Sequence, residues 1–239
     1  MLYVLNGDND LREAATMDLV ELKRSGAPEN TNIVAQLYRG ELKWNLANLK
    51  KKMGGLFKPE FKPAVKPDWR GMKVYEVSSD SRAMRVNYPN PVASPSDPKA
   101  LEDFVAWGME QYPAEHYAVV LTGHGSQRGT LSDSEGRFMP FEKVSQSLKS
   151  AAERTGEQID LVLFDSCSTA GDETAEKMRG ATDFLVATPQ KADGHGWSEE
   201  LTLNYLKENP DATPAEFAES YLSPEHTSVR NPLLYDLRD

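Results

Sequence analysis

The sequence predicts an α/β protein built on a mostly parallel sheet, and three observations carry that prediction. Short apolar, β-rich runs alternate with helical stretches along most of the 239 residues. The first three segments read strand, helix, strand with short links, which is the βαβ pattern of parallel pairing. Two further runs, 117–123 (YAVVLTG) and 159–164 (IDLVLF), stop at small polar turns: His124-Gly125 after the first, Asp165-Ser166-Cys167 after the second. Strands that end this way present chemistry at the carboxyl edge of a parallel sheet.

In order along the chain, residues 2–6 form the first strand, and Asn9-Asp10 caps a helix over 11–25. Its apolar positions Leu11, Ala14, Ala15, Leu19 and Leu22 keep to one face. Residues 32–38 (NIVAQLY) are the second strand. The pattern then breaks at 50–70, which hold seven basic and two acidic residues. Lys-Pro recurs there at Lys58-Pro59, Lys62-Pro63 and Lys66-Pro67, a spacing that excludes helix and favours extended chain. This segment reads as a basic insertion within one domain. A solvated linker is its plainer role, and a poorly cleavable pseudosubstrate the sharper one. Strands resume at 72–77, with a short hairpin at 84–86, followed by a Pro- and Ser-rich loop over 87–98. Asp97 caps a helix to about 111, with Pro98 at its first position. The His124 strand, a polar loop over 126–140, a helix at 141–154 and the Cys167 strand follow. Beyond them lie helices at 170–178, 198–207 and 214–221, a strand at 183–187, and an edge strand at 232–237.

Composition narrows the function. A net charge of −10 argues against nucleic acid as the partner, because phosphate binding needs a basic face. No apolar run approaches membrane-spanning length. One cysteine excludes an intrachain disulfide and any multi-cysteine zinc site, and the four histidines lack metal-ligand spacing. The opening MLYVLN is not a signal peptide, which favours the cytoplasm; a secreted protein stripped of its leader begins the same way.

The chemistry centres on the only cysteine and on His124. A thiol attacks an acyl carbon as thiolate, so Cys167 needs a base or a stabilising field. His124, ending a neighbouring strand, is the candidate base and then the acid for a leaving amine. A helix starting soon after Cys167 would add its dipole. Gly125 offers no side chain to obstruct a substrate, and its backbone N–H can pair with that of Cys167 as an oxyanion hole. Either residue alone is as readily a buried small group or a surface polar one; the two together point to thiol catalysis. His195 is the alternative base, His116 reads as a surface residue, and His226 carries no signal.

Five elements in order resemble the clostripain family of cysteine peptidases, within the caspase-like clan: Asp8-Asn9 after the first strand, Tyr112-Pro113-Ala114-Glu115-His116-Tyr117, His124-Gly125-Ser126, Phe164-Asp165-Ser166-Cys167, and Gly194-His195-Gly196-Trp197. The resemblance implies a caspase-like three-layer sandwich over residues 1–239. It implies an endopeptidase with a His124/Cys167 dyad that cleaves after Arg or Lys. Asp165 then lies at the floor of an acidic pocket, with Asp193 as a second carboxylate. It also implies protein or peptide substrates with basic residues, an activating partner, and self-cleavage in loops, for which Arg128 and Arg137 are candidates. No cofactor is implied; some relatives use calcium, for which Asp8, Asn9 and Asp10 are the candidate ligands, though such residues more often cap a helix. The sequence departs from the family after the cysteine (Ser168-Thr169-Ala170-Gly171), at Thr188-Pro189-Gln190, and at Gln127-Arg128 where a tryptophan is usual. Those changes bear on subsites. A gated or inactive caspase-like module, for example in a bacterial defence system, is the alternative function.

Overall fold

A computed structural model describes residues 1–40, 69–92, 94–191, 196–223, 229 and 231–238. The elements along the chain are β1 (Leu2–Gly7), α1 (Arg12–Ser25), β2 (Ile33–Arg39), β3 (Gly71–Val77), β4 (Ala83–Val86), α2 (Pro98–Gln111), β5 (Ala118–Gly123), β6 (Gly129–Thr130), β7 (Met139–Pro140), α3 (Phe141–Thr155), β8 (Leu161–Ser166), α4 (Asp172–Met178), β9 (Phe184–Ala187), α5 (Glu199–Glu208), α6 (Pro214–Ser220) and β10 (Leu233–Asp236).

Eight of the strands form one sheet in the order β10-β9-β8-β5-β1-β2-β3-β4. The central five, β9 to β2, are parallel, and both ends are completed by antiparallel strands. This is the expected three-layer sandwich. Strands buried on both faces read as near-continuous apolar runs, with few polar residues such as Gln36 among them. In β1, Leu2 and Val4 join one core with Leu101 and Phe104 of α2 and Val144 and Leu148 of α3. Tyr3 and Leu5 join the other core, with Ala15 and Leu22 of α1, Leu203 of α5 and Phe217 of α6.

Helix starts follow their caps. Asp97 accepts from the Lys99 amide with Pro98 behind it, as its sequence predicts. Ser198 caps α5 at Leu201, and Thr213 forms a capping box with Glu216. The start of α1 departs from expectation. Asn9 Oδ1 accepts from Leu11 N at 2.8 Å, but Asp10 caps nothing, and the first helical residue is Arg12.

Two other expectations are corrected. The loop after His124 contains a small hairpin, β6 paired with β7, which short Gly-Thr and Met-Pro segments do not announce. The helix after Cys167 starts at Asp172, not near 170, because Ser168 takes a left-handed φ of 54° and the chain turns first. Helix α4 is a short one, with Asp172 and Glu173 in its first turn. Residues 50–68 of the Lys-Pro segment lie outside the described residues. Among those described, no helix is long and apolar enough to cross a membrane.

Candidate active site

Register, more than any single contact, brings the two candidate catalytic residues together. On the adjacent parallel strands β5 and β8, Thr122 pairs with Asp165 and Gly123 with Ser166. His124 and Cys167 directly follow these two strands, at the carboxyl edge. Both line one cavity of about 220 Å³, together with Asn6, Leu11, Ala14, Asp18, Asp165, Lys191 and Gly196. A second cavity, about 270 Å³, opens at the amino edge of the sheet and is lined by Asn30, His116 and Asp160 among others. His116 Nδ1 there pairs with Asp160 Oδ1 at 3.0 Å, clamping the start of β5; no thiol lies near it.

The turn that carries Cys167 is pinned from both sides. The amides of Ser168, Thr169 and Ala170 donate to the carbonyls of Gln190 and Thr188 at 2.8 to 3.0 Å. Thr169 Oγ1 donates to Ser166 O, and the Ser166 hydroxyl shares a buried 2.9 Å hydrogen bond with Thr130 of β6. Gly125 closes onto this turn. A Cβ there would sit 2.6 Å from Ser166 Cβ, 2.8 Å from Thr169 Cγ2 and 2.9 Å from Cys167 O. The absence of a side chain at 125 therefore serves the contact between the two strand ends, where the sequence suggested clearance for a substrate.

His124 is held from outside. Its Nε2 lies 2.5 Å from Asp10 Oδ1, across the turn between β1 and α1. Asp8 and Asn9 point elsewhere: Asp8 bonds Ser134 and Asn9 Nδ2 donates to Ser132 O at 2.7 Å. The three residues suggested as calcium ligands thus serve three different partners. Among the described residues no group of three or more His, Cys, Asp or Glu could hold a metal ion.

The far end of the cavity is acidic. Asp165 is the penultimate residue of β8. Gly196, at φ 53°, lays its backbone against that carboxylate so closely that a Cβ would stand 2.3 Å from Asp165 Oδ2. Asp18 of α1 lines the same cavity, and buried Glu199 at the start of α5 backs it. Burial, then the charges of Asp165 and Glu21, push the Asp18 carboxyl well above its usual range. Burial, then Asp18 and Asp165, do the same to Glu199, against the lowering effect of its hydrogen bond from Tyr3. Asp18 and Glu199 were missed by sequence reading. Asp18 sits on the expected α1 face one turn beyond Ala14, a signal that helical periodicity can supply once α1 is known to flank the site. Asp193 and His195 lie outside the described residues, as does His226.

The model of the clostripain family, peptidase C11, matches residues 3–232. The chain belongs to the clostripain family. No curated protein sequence matches it. Among solved structures, a secreted C11 cysteine protease from Bacteroides thetaiotaomicron, bound to an irreversible peptide inhibitor, superposes with a TM-score of 0.66 at 19% identity. An inactive zymogen C11 protease from Parabacteroides distasonis gives 0.63 at 18%. A further structure, of the secreted B. thetaiotaomicron C11 cysteine protease "iotapain", gives 0.65 at 11%. These alignments cover 92%, 91% and 92% of this chain but 56%, 55% and 60% of the others, so the chain spans little more than half the length of these clostripain-family structures.

The departures from the family pattern now have a physical reading. Thr188 and Gln190 contribute backbone carbonyls to the Cys167 turn, and the buried Thr188 hydroxyl accepts from Gln190 N at 3.2 Å. Trp197 is buried, and its Nε1 donates to Tyr221 O at 3.2 Å, tying the segment that carries Gly196 to the end of α6.

The loop arginines differ in setting. Arg137 is engaged: its Nε donates to buried Asp133 at 2.7 Å, and its carbonyl accepts from Asp133 N and from Ser96 Oγ. Burial raises the Asp133 carboxyl, but Arg137 and Ser94 outweigh it and hold it below the usual range. Arg128 is exposed at a tight Ser126–Gly129 turn, its guanidinium over the Phe138 ring.

Proposed function

We propose that this protein is a cysteine endopeptidase that cleaves after Arg or Lys. One observation carries the reading: His124 and Cys167 end adjacent parallel strands in register, on one cavity whose other end holds two carboxylates. A basic side chain entering that cavity meets Asp165 and Asp18, and a guanidinium in a partly desolvated acidic site gains strongly from charge-assisted hydrogen bonds. Asp193, proposed from the sequence as a pocket carboxylate, keeps that assignment as a proposal.

In the reaction, His124 takes the Cys167 proton and the thiolate attacks the scissile carbonyl. The amides of Gly125 and Cys167 hold the oxyanion. The C–N bond breaks as His124 returns the proton to the leaving amine, which leaves a thioester. Water, deprotonated by His124, then cleaves the thioester and regenerates the thiol.

The Parabacteroides neighbour is an inactive zymogen, and a maturation cut is proposed for this chain as well. Arg128 is the better candidate because Arg137 is locked by Asp133. Cutting after Arg128 requires the turn at 126–129 to open, since a peptidase binds its substrate extended. An intact mass in the active enzyme would remove self-cleavage. The cytoplasm is the compartment proposed from the sequence; the secreted Bacteroides neighbours favour the other, and assay of culture supernatant against lysate separates them. A calcium requirement is tested by activity in excess chelator.

The deciding assay compares fluorogenic peptides ending in Arg, Lys and Asp, with Cys167→Ala beside the wild type. Cleavage after Arg or Lys that vanishes in the variant supports the reading. Cleavage after Asp keeps the thiol chemistry and overturns the pocket. No cleavage by the intact or matured chain would favour a gated module.

A further inference from the structure

We infer that Asp10 is the positioning residue for His124, fixing which imidazole nitrogen exchanges protons with Cys167. This rests on the reading of His124 as general base and names a third group for that site. The sequence offered Asp10 as a helix cap or cation ligand, and the structure pairs it with His124.

The contact is direct. Asp10 Oδ1 lies 2.5 Å from His124 Nε2, and both side chains are partly open to solvent, at 35% and 42% exposure. A carboxylate accepts, so Nε2 must donate. In the neutral ring the proton is then on Nε2, and Nδ1 holds the lone pair. Nδ1 is therefore the nitrogen left to take the proton from Cys167 Sγ and to return it to the leaving amine. Nothing else is consumed: the proton leaves sulfur, resides on Nδ1, and departs with the amine. When the ring carries the Cys167 proton on Nδ1, its Nε2–H stays hydrogen-bonded to the Asp10 carboxylate, so that carboxylate sits beside the ring throughout the transfer.

The turn that presents Asp10 is held without its side chain. Asn6 Nδ2 and Asn9 Nδ2 both donate to Ser132 O, at 2.9 and 2.7 Å. Ser132 N donates to His124 O at 3.4 Å. The β1–α1 turn and the His124 backbone are thus joined through Ser132, and Asp8 N and Leu11 N close the turn on Asn6 Oδ1 and Asn9 Oδ1. Removing the Asp10 carboxylate takes away one hydrogen bond to the imidazole and leaves this frame in place. The other ionisable groups on the cavity with His124 are Cys167, Asp165, Asp18 and Lys191, contributed by β8 and its end, α1 and the segment after β9. Their contribution is common to every variant at position 10.

The test compares wild type, Asp10→Ala, Asp10→Asn and Asp10→Glu with the best basic peptide. Alongside kcat and KM, the rate of Cys167 alkylation by iodoacetamide is followed against pH. Asp10→Ala should lower kcat by roughly 10- to 100-fold, less than the roughly 100- to 10,000-fold of the acid–base group itself because Asp10 acts through His124, with KM nearly unchanged. Its alkylation profile should move to higher pH. Asp10→Asn should do no better than Ala, because a side-chain amide can turn its N–H₂ toward the ring and select the wrong tautomer. Asp10→Glu should recover part of kcat and of the profile. Unchanged kcat and an unchanged alkylation profile in Asp10→Ala would overturn the assignment. So would a rise in activity, which would make Asp10 a restraint on the imidazole. A uniform loss in all three variants with a lowered melting temperature would show a structural role and overturn it equally. Full activity in His124→Ala would instead remove the reading on which the inference rests.

Discussion

At the scale of single residues the site depends on positions where chemistry and space are both constrained. Asp18 illustrates the first. Its carboxyl, pushed above the usual range by burial and by Asp165, must lose its proton to serve a substrate cation. KM for Arg peptides should therefore fall as pH rises from acid toward neutral, while a peptide with a neutral isostere at that position should show no such trend. Asp18→Asn should raise KM for Arg peptides about 10- to 100-fold, the worth of one charge-assisted hydrogen bond, and flatten the pH trend. Gly196 illustrates the second. Gly196→Ala would drive a methyl into Asp165 at a left-handed φ, so it should abolish binding of basic inhibitors while leaving the Cys167 thiol reactive to iodoacetamide. His124, Cys167 and Asp165 were legible because each ends an apolar run. Asp10, Asp18 and Glu199 were not: each reads as an ordinary polar residue near a helix start or on a helix face, and its neighbours, His124 for Asp10, Asp165 for Asp18 and Tyr3 for Glu199, come from distant parts of the chain.

At the scale of elements, strands that must be apolar on both faces announced themselves, and so did helices with strong caps such as Asp97 and Thr213. Boundaries set by tertiary contacts did not. Hairpin β6–β7 has no strand-like composition, and it exists because Thr130 reaches Ser166 and Asp133 gathers Ser94 and Arg137. The late start of α4 is set by carbonyls of Thr188 and Gln190, which no local pattern encodes. The element that orients Cys167 is β8, packed on α3 through Phe164 and Phe141, whose rings lie 5.2 Å apart and are fully buried. Phe164→Ala should cost roughly 3–5 kcal/mol in a denaturant titration, the usual loss for a buried aromatic. The same variant should lower kcat more than KM, because the strand end loses its backing.

At the scale of the whole molecule, an acidic chain with a buried acidic pocket stores an unfavourable charge interaction that a basic substrate relieves. Asp18 and Glu199 bind protons more tightly folded than unfolded, so the folded state loses stability as pH rises from the ordinary carboxylate range through their raised values. Melting temperature should fall over that window, and Glu199→Gln should reduce the slope; an equal slope in the variant would assign the trend elsewhere. A guanidinium ligand should stabilise the protein more at neutral pH than in acid. The measurement that tests the central claim most directly is covalent labelling with peptidyl electrophiles carrying Arg or Asp next to the reactive group, read by mass spectrometry of the whole chain and of its peptides. One adduct, on Cys167, from the Arg reagent and absent in His124→Ala at the same pH, is the predicted result. Equal labelling by the Asp reagent, or Arg-reagent labelling indifferent to His124, would contradict it.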